Sequence, residues 1–334
     1  MRVRSWLSGR PLLGLAVLLP LAAAMAAPPS PALARDFAAW LEDFRDDALA
    51  RGIRRETLDR ALADVAPIPR VVELDRNQPE RRFTFEEYRQ RVLTPARIDQ
   101  GRERFRRHRE LLERVSAEYG VPPQVIVALW GIESSYGQST GGYPVIASLA
   151  TLAFDGRRAE FFRGELLNAL TILDRGEIAP QDMTGSWAGA MGQSQFMPSS
   201  YLRSAVDFDG DGRRDIWTSL PDVFASMANY LARAGWERGY IWGRRVQAPG
   251  DLPAAAVGLE VQKPLPEWRR LGVRRADGGA LPAADIPASL VRPDGADGGR
   301  AYLAYHNFRV LLNWNRSTYF ALAVGELADL IRDG

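Results

Sequence analysis

Residues 121–137 read VPPQVIVALWGIESSYG, an apolar segment that carries a single acidic residue, Glu133. Pro122 and Pro123 suit the first turn of a helix, where a backbone N–H has no helical partner to lose. Gly137 suits the left-handed position that follows the last turn. The segment therefore predicts a buried helix around which the rest of the fold is built.

In this predicted helix, Glu133 shares a face with three apolar residues. Ile126, Leu129 and Trp130 precede it by seven, four and three residues, which is the spacing of one helical face. Burial disfavours an ionised carboxylate and raises its pKa, and the negative end of a helix acts in the same direction. Glu133 is therefore a candidate general acid, and the alternative is a surface glutamate near a helix end.

A second segment, residues 186–201, reads SWAGAMGQSQFMPSSY and combines small residues with amides, hydroxyls and aromatic rings. Small residues allow a ligand or a neighbouring backbone to approach closely. Aromatic rings stack on the faces of sugars, and amides such as Gln195 bind hydroxyl and acetamido groups. The segment favours a sugar-binding wall and a tightly packed helix pair about equally.

Residues 207–218 read DFDGDGRRDIWT and follow the spacing of a twelve-residue calcium loop. Gly212 falls at the sixth position, but Thr218 stands where such loops carry a bidentate glutamate. We expect a weak, structural calcium site, and the alternative is a turn rich in Asp and Gly. The expected ligands are Asp207, Asp209, Asp211, the backbone carbonyl of Arg213, and Asp215.

The composition excludes several kinds of chemistry. The 334 residues contain no cysteine, which excludes disulfides, thiol catalysis and thiolate metal sites. The two histidines, His108 and His306, lie in unrelated contexts and form no metal-ligand motif. Neither histidine is accompanied by a nucleophile motif, so a Ser-His-Asp triad is not predicted.

The first 34 residues have the pattern of a cleaved signal peptide. Three arginines precede an apolar run at residues 11–26, and small-x-small sites follow at 24–26 and 32–34. The alternative is an uncleaved membrane anchor. Removal of this segment leaves 40 basic and 41 acidic residues, so the net charge changes from +2 to −1. The charge therefore gives no reason to expect nucleic-acid binding.

The remaining chain divides by composition and periodicity. Residues 245–300 are rich in Pro, Gly, Ala and Asp and lose the helical pattern, which indicates a small lobe with short strands. We expect an N-terminal helical lobe over 35–100, a core over 101–244 and a return to that core over 301–334. The predicted helices cover residues 36–65, 101–119, 158–174, 219–234 and 317–331, with an irregular connector over 71–81.

Four motifs resemble those of the B-type lytic murein transglycosylases, a branch of the goose-lysozyme-like enzymes. They occur in the same order over most of the chain. They are ALWGIESSYG around Glu133, GSWAGAMGQSQFMPSSY at 185–201, DFDGDGRRDIW at 207–217 and HNFRVLLNWNRSTYFALAVG at 306–325. The resemblance implies a mainly α (α+β) fold, with a lysozyme-like helical core, an added helical lobe and a small β-containing insert.

The resemblance also implies a reaction. Glu133 would be the sole general acid and base in a non-hydrolytic cleavage of the β-1,4 bond between N-acetylmuramic acid and N-acetylglucosamine. The C6 hydroxyl of the muramoyl sugar would close onto C1 and give a 1,6-anhydro end. The substrate-binding residues implied in the same way are Ser186, Gln195, Phe196, Tyr230 and Asn315.

By the same resemblance we expect peptidoglycan glycan strands as the substrate, cell-wall synthesis or remodelling proteins as possible partners, and a monomer that does not bind nucleic acid. No cofactor is expected beyond structural calcium. Since the chain has no cysteine to carry a lipid, we expect a soluble periplasmic form. Two alternatives remain: a non-catalytic peptidoglycan-binding protein, and a hydrolytic muramidase, for which the candidate second carboxylates are Asp155, Glu160 and Glu165. We expect Glu160 and Glu165 to lie on a helix surface.

Overall fold

The computed structural model describes residues 31–77, 83–295 and 299–333. These residues form a mainly helical α+β fold, as the sequence predicts, with fourteen α-helices and seven short strands. Within the described ranges, none of the helices has the length and apolar character needed to cross a membrane. Residues 1–30 of the predicted signal peptide lie outside the described residues.

The helices, in chain order, are α1 Pro31–Ala50, α2 Arg55–Leu62, α3 Pro69–Arg76, α4 Phe85–Val92, α5 Pro95–Arg107, α6 Arg109–Tyr119, α7 Pro123–Ser134, α8 Val145–Asp155, α9 Ala159–Asp174, α10 Pro198–Ser204, α11 Leu220–Arg233, α12 Leu265–Arg270, α13 His306–Trp314 and α14 Thr318–Arg332. The strands are β1 Tyr143–Pro144, β2 Thr184–Gly185, β3 Gly243–Gln247, β4 Lys263–Pro264, β5 Arg274–Arg275, β6 Pro287–Val291 and β7 Ala301–Ala304.

Helix α7 lies at the centre of the larger hydrophobic core. Gly120, at a φ of 76°, ends α6, and the prolines at 122 and 123 start α7 without loss of a helical hydrogen bond. Nine of the twelve residues of α7 are buried. It packs against α5, α6, α11 and α14, so it is covered on most of its circumference.

A second core joins the N-terminal helices to α8 and α9. Phe37 and Phe44 of α1 are buried there, as the i, i+7 spacing predicts. The prediction of one helix over 36–65 is wrong, because the chain turns at Gly52, at a φ of 88°, and separates α1 from α2. The predicted irregular connector at 71–81 is wrong for residues 71–76, which belong to α3, and residues 78–81 of it lie outside the described residues.

The predicted helical lobe at 35–100 does not form one packing unit. Helices α1 to α3 pack on the second core, whereas α4 and α5 pack against α14 and α7 in the first. Arg89 of α4 pairs with Glu326 of α14, and the Tyr302 hydroxyl donates to the same carboxylate at 2.6 Å. These contacts fix α4 against α14.

The small lobe is an antiparallel five-stranded sheet in the order β4-β6-β7-β3-β5. One face covers a separate small core around Trp268, and the other adds Val291 and Tyr302 to the first core. Strand β3 begins at Gly243 and β7 ends at Ala304, so the sheet extends beyond the predicted limits of 245 and 300 at both ends. The chain then leads into α13, which ends at Trp314.

Candidate active site

Glu133 lies in the last turn of α7 and is half-buried. Its Oε1 accepts a hydrogen bond from the indole Nε1 of Trp314 at 2.6 Å. Burial raises the pKa of Glu133 from 4.5 to about 7, and the hydrogen bond from Trp314 opposes part of that rise. A carboxyl group with a pKa near neutrality can donate a proton and take it back at the same pH.

The backbone after Glu133 adopts three consecutive left-handed residues: Ser135 at a φ of 50°, Tyr136 at 60° and Gly137 at 81°. The helix cap is therefore Ser135, and the sequence-based assignment of the cap to Gly137 is wrong. Two of the three residues carry side chains, which costs about 1–3 kcal/mol each and is a form of strain found at functional sites. The strain is held by packing, because a Cβ at Gly131 would lie 2.6 Å from the Tyr136 ring.

Gln193 joins α7 to the glycine-containing segment. Its Oε1 accepts from Trp130 Nε1 at 2.8 Å, and its Nε2 donates to the Trp217 carbonyl at 2.8 Å. Gly137 must be glycine here, because its φ is positive and an added Cβ would lie 2.3 Å from the same Oε1. This amide therefore supports the site from within the protein.

Three aromatic rings form a cluster beside Glu133. The Trp314 ring centroid lies 5.3 Å from that of Phe196 and 4.8 Å from that of Tyr230, and the last two are 5.7 Å apart. The Tyr230 hydroxyl donates to the Asn313 carbonyl at 2.8 Å. The structure thus brings Phe196 and Tyr230 together with Glu133 through Trp314, a residue that is not among the predicted substrate-binding residues.

The other predicted substrate-binding residues are held by local hydrogen bonds. Ser186 Oγ accepts from the Ala190 amide at 3.0 Å, within a turn, so the packed helix pair considered for this segment does not form. Asn315 Oδ1 accepts from the Ser317 amide at 3.0 Å, just before α14. Neither residue contacts Glu133 through a hydrogen bond within the described part of the chain.

Gln195 has a left-handed backbone, with a φ of 51°. Its Nε2 donates to the carbonyls of Thr140 and Gly192, at 2.9 Å each. Among the described residues, no donor reaches its side-chain oxygen, which is therefore available to a ligand. The strained backbone and the two fixed donor bonds hold this oxygen in one orientation.

Tyr88 of α4 is a further residue near Glu133 that the sequence did not single out. Its hydroxyl is buried and has no hydrogen-bond partner among the described residues. Burial first, and the neighbouring charge of Glu133 second, raise the pKa of this phenol above its ordinary range. It stays protonated at neutral pH, so it adds no second charge beside Glu133.

The three acids considered as a second carboxylate for a muramidase lie in other surroundings. Asp155 pairs with Arg76, and Glu160 is exposed. The prediction that Glu165 lies on the surface is wrong: it is 5% exposed and accepts from the Ser199 amide at 2.8 Å and hydroxyl at 2.6 Å. Glu165 therefore caps the start of α10.

The acidic loop at 207–218 brings three of its predicted ligands together. Carboxylate oxygens of Asp207, Asp209 and Asp211 lie within 4.8 Å of one another and are exposed. The carboxylate of Asp215 lies outside this group and accepts from the amides of Trp217 and Thr218, at 2.8 Å each. The three clustered carboxylates supply the oxygen ligands that calcium prefers.

Two further residues stabilise this loop. The Arg213 side chain pairs with Asp211, and nothing in its contacts marks its carbonyl as a ligand. Asp222, in the first turn of α11, is fully buried and accepts from the Phe208 amide at 2.7 Å and the Asp215 amide at 2.8 Å. Asp222 therefore joins the beginning of the loop to its later part through these two amides. The twelve-residue spacing did not indicate this role.

Comparison with known proteins gives matches over nearly the whole described chain. A profile of the family described as "Transglycosylase SLT domain" matches residues 36–329. Membrane-bound lytic murein transglycosylase B of Escherichia coli is 35% identical over 258 residues, which are 73% of this chain. The match spans 66% of that relative, slightly under two thirds of its length.

Solved structures match as well. SltB3 from Pseudomonas aeruginosa, in complex with NAG-anhNAM-pentapeptide, has a TM-score of 0.86 and 48% identity over 89% of this chain and 80% of that one. The Escherichia coli lytic transglycosylase Slt35, in complex with calcium, has a TM-score of 0.74 and 32% identity over 87% of this chain and 92% of that one.

Proposed function

The chain belongs to the transglycosylase SLT domain family of enzymes, and we propose that it is a lytic transglycosylase that cleaves the glycan strands of peptidoglycan. The observation that carries this proposal is Glu133 itself. A half-buried carboxyl group, with a pKa raised to about 7, stands beside a cluster of aromatic rings. A related protein, SltB3, is known in complex with a peptidoglycan fragment.

The proposed reaction uses Glu133 twice. It first gives its proton to the glycosidic oxygen between N-acetylmuramic acid and N-acetylglucosamine, and the bond from C1 to that oxygen breaks. It then takes the proton of the muramoyl C6 hydroxyl while O6 bonds to C1. The product is a 1,6-anhydro end, and Glu133 returns to its protonated form without the entry of water.

Two observations support a single carboxyl group. Glycosidases that hydrolyse usually need a second carboxylate to position water or to attack C1. Asp155 and Glu165, the nearby candidates in sequence, are held in contacts with Arg76 and Ser199. A hydrolytic muramidase on the same fold is the alternative, and it would need a second acid that is free to act.

The sugar would lie against the ring cluster. The rings of Phe196, Tyr230 and Trp314 offer apolar faces for stacking, and the free side-chain oxygen of Gln195 can accept from a hydroxyl or an acetamido N–H. Ser186 and Asn315, at the edges of the same two segments, would complete the polar contacts.

The test is product analysis on purified peptidoglycan. The parent protein should release muropeptides with anhydro ends, and mass spectrometry distinguishes them from reducing ends by the mass of one water. Glu133→Gln should fold and release nothing, whereas Glu160→Gln, an exposed change on α9, should retain full activity. Turnover by Glu133→Gln, or reducing ends from the parent, would overturn the proposal.

We further propose that Asp207, Asp209 and Asp211 would hold a calcium ion when it is supplied, as a stabiliser of the turn before α11 and not as a participant in the chemistry. The related Slt35 is known in complex with calcium. The signal-like N-terminus supports a periplasmic location, where peptidoglycan and cell-wall proteins would be accessible, and fractionation of cells expressing the full chain tests it.

A further inference from the structure

We propose that Trp314 is a positioning residue for Glu133: its indole N–H holds one carboxyl oxygen throughout the reaction and leaves the other to exchange the proton. This inference rests on the proposed function, because it assigns a role within that reaction. It also makes a claim about the resting protein that can be measured without any substrate.

The contact is short and has only one direction. The distance from Trp314 Nε1 to Glu133 Oε1 is 2.6 Å. An indole N–H donates and cannot accept, so Oε1 must be the acceptor in both charge states of Glu133. Because a carbonyl oxygen accepts better than a hydroxyl oxygen, the proton of the neutral form belongs on Oε2. The acid that meets the glycosidic oxygen is therefore Oε2.

The indole is fixed in place by its surroundings. Its ring packs against those of Phe196 and Tyr230, and the Tyr230 hydroxyl anchors the preceding residue through the Asn313 carbonyl. On the other side, Asn315 Oδ1 accepts from the Ser317 amide in the turn that leads into α14. The donor is therefore already oriented before a substrate arrives, which is the condition for an efficient proton transfer.

The hydrogen bond also affects the pH at which Glu133 ionises. A donor to a carboxylate favours its charged form, so Trp314 acts against the burial that raises the pKa of Glu133 to about 7. Trp314→Phe keeps a ring against its neighbours and removes only the donor. In this variant the pKa should rise by about one unit, and kcat should fall about tenfold while KM changes little.

The chain offers a matched control. Trp242 also donates its indole N–H to a carboxylate, Asp329, at 3.1 Å. It lies beside Val125 in the first turn of α7, roughly 12 Å along the helix axis from Glu133. Trp242→Phe therefore removes the same kind of bond and should leave the titration of Glu133 unchanged.

The first experiment records indole ¹H–¹⁵N cross-peaks of the intact protein, which has nine tryptophans. We expect one cross-peak to move with a midpoint near pH 7 in the parent, to lose this movement in Glu133→Gln, and to be missing in Trp314→Phe. Trp242→Phe should keep both this cross-peak and its movement with pH. If no indole peak follows the titration of Glu133, the inference is wrong, whether or not the protein cleaves peptidoglycan.

The second experiment compares pH profiles of kcat/KM on peptidoglycan. Since the reaction starts from protonated Glu133, the alkaline limb should lie near pH 7 in the parent and about one unit higher in Trp314→Phe. An alkaline limb that stays in place would overturn the inference. A parent with no turnover would refute the proposed function, and the cross-peak experiment would still decide the role of Trp314.

Discussion

Glu133→Gln should stabilise the folded protein at alkaline pH although it abolishes the proposed activity. The carboxyl group is half-buried, so the folded state disfavours its charged form. Glutamine has nearly the same shape, carries no charge and still offers an oxygen to the indole of Trp314. The variant therefore removes the cost of charge burial and keeps the packing.

The size of the stabilisation and the pH range in which it appears follow from the pKa values of Glu133 in the unfolded and folded states. At a pH below the unfolded value of 4.5, both states are protonated and the substitution should change little. Between 4.5 and about 7 the folded state keeps a proton that the unfolded state has released, so stability falls as the pH rises. At 1.36 kcal/mol for each pKa unit, the full cost above pH 7 is about 3 kcal/mol, and partial exposure reduces it to about 2 kcal/mol.

The assay is urea unfolding of the parent and of Glu133→Gln at about pH 4 and about pH 8.5, followed by circular dichroism. Glu160→Gln, at an exposed position of α9, is the matched control and should show no such difference between the two pH values. If Glu133→Gln has the same effect at both pH values, the carboxyl group does not have a raised pKa and the reasoning fails.

Three further predictions concern residues that stabilise the folded protein. Gly137→Ala should lower the free energy of unfolding by about 1–3 kcal/mol in urea titrations, because its Cβ would displace Gln193; an unchanged midpoint would contradict this. Asp75→Ala should cost about 2–4 kcal/mol near pH 7, since it removes the carboxylate that pairs with Arg158, and less in acid, where protonation weakens that pairing. Calcium at about 10 mM should raise the Tm of the parent by the equivalent of about 1.4 kcal/mol for a Kd near 1 mM, and it should not raise the Tm of Asp207→Ala. Equal shifts in the two proteins would exclude this site.

The helices with strong local signals were predictable from the sequence. Ser219 and Ser317 accept from the amides of Asp222 and Phe320, so α11 and α14 start where a capping serine indicates. The break between α5 and α6 was not predictable. The apolar spacing continues through it, and only the packing of His108 against Trp130 and Phe224 in the folded core marks the position.

The candidate site was predictable only in part. Glu133 was predictable from its place on an apolar helical face and Phe196 from the composition of its segment, whereas Tyr230 was implied only by the family resemblance. The structure places the three close together. Trp314 is separated from Glu133 by 181 residues, and in sequence its ring looks like ordinary core. Tyr88 was equally hidden, because a tyrosine on an amphipathic helix gives no sign that its hydroxyl lacks a partner. Such pairings depend on tertiary contacts that no local pattern encodes.

The strained end of α7 explains how a core helix can present the proposed catalytic group. Side chains in a helix lean toward the preceding turn, so one further turn of α7 would lay its residues over Glu133. The left-handed residues Ser135 and Tyr136 prevent this by turning the chain back, with the Tyr136 ring over Gly131 and its hydroxyl bonded to the Arg97 carbonyl at 2.7 Å. Glu133 is thereby left one residue from the helix end, buried enough to raise its pKa and open enough to meet a substrate.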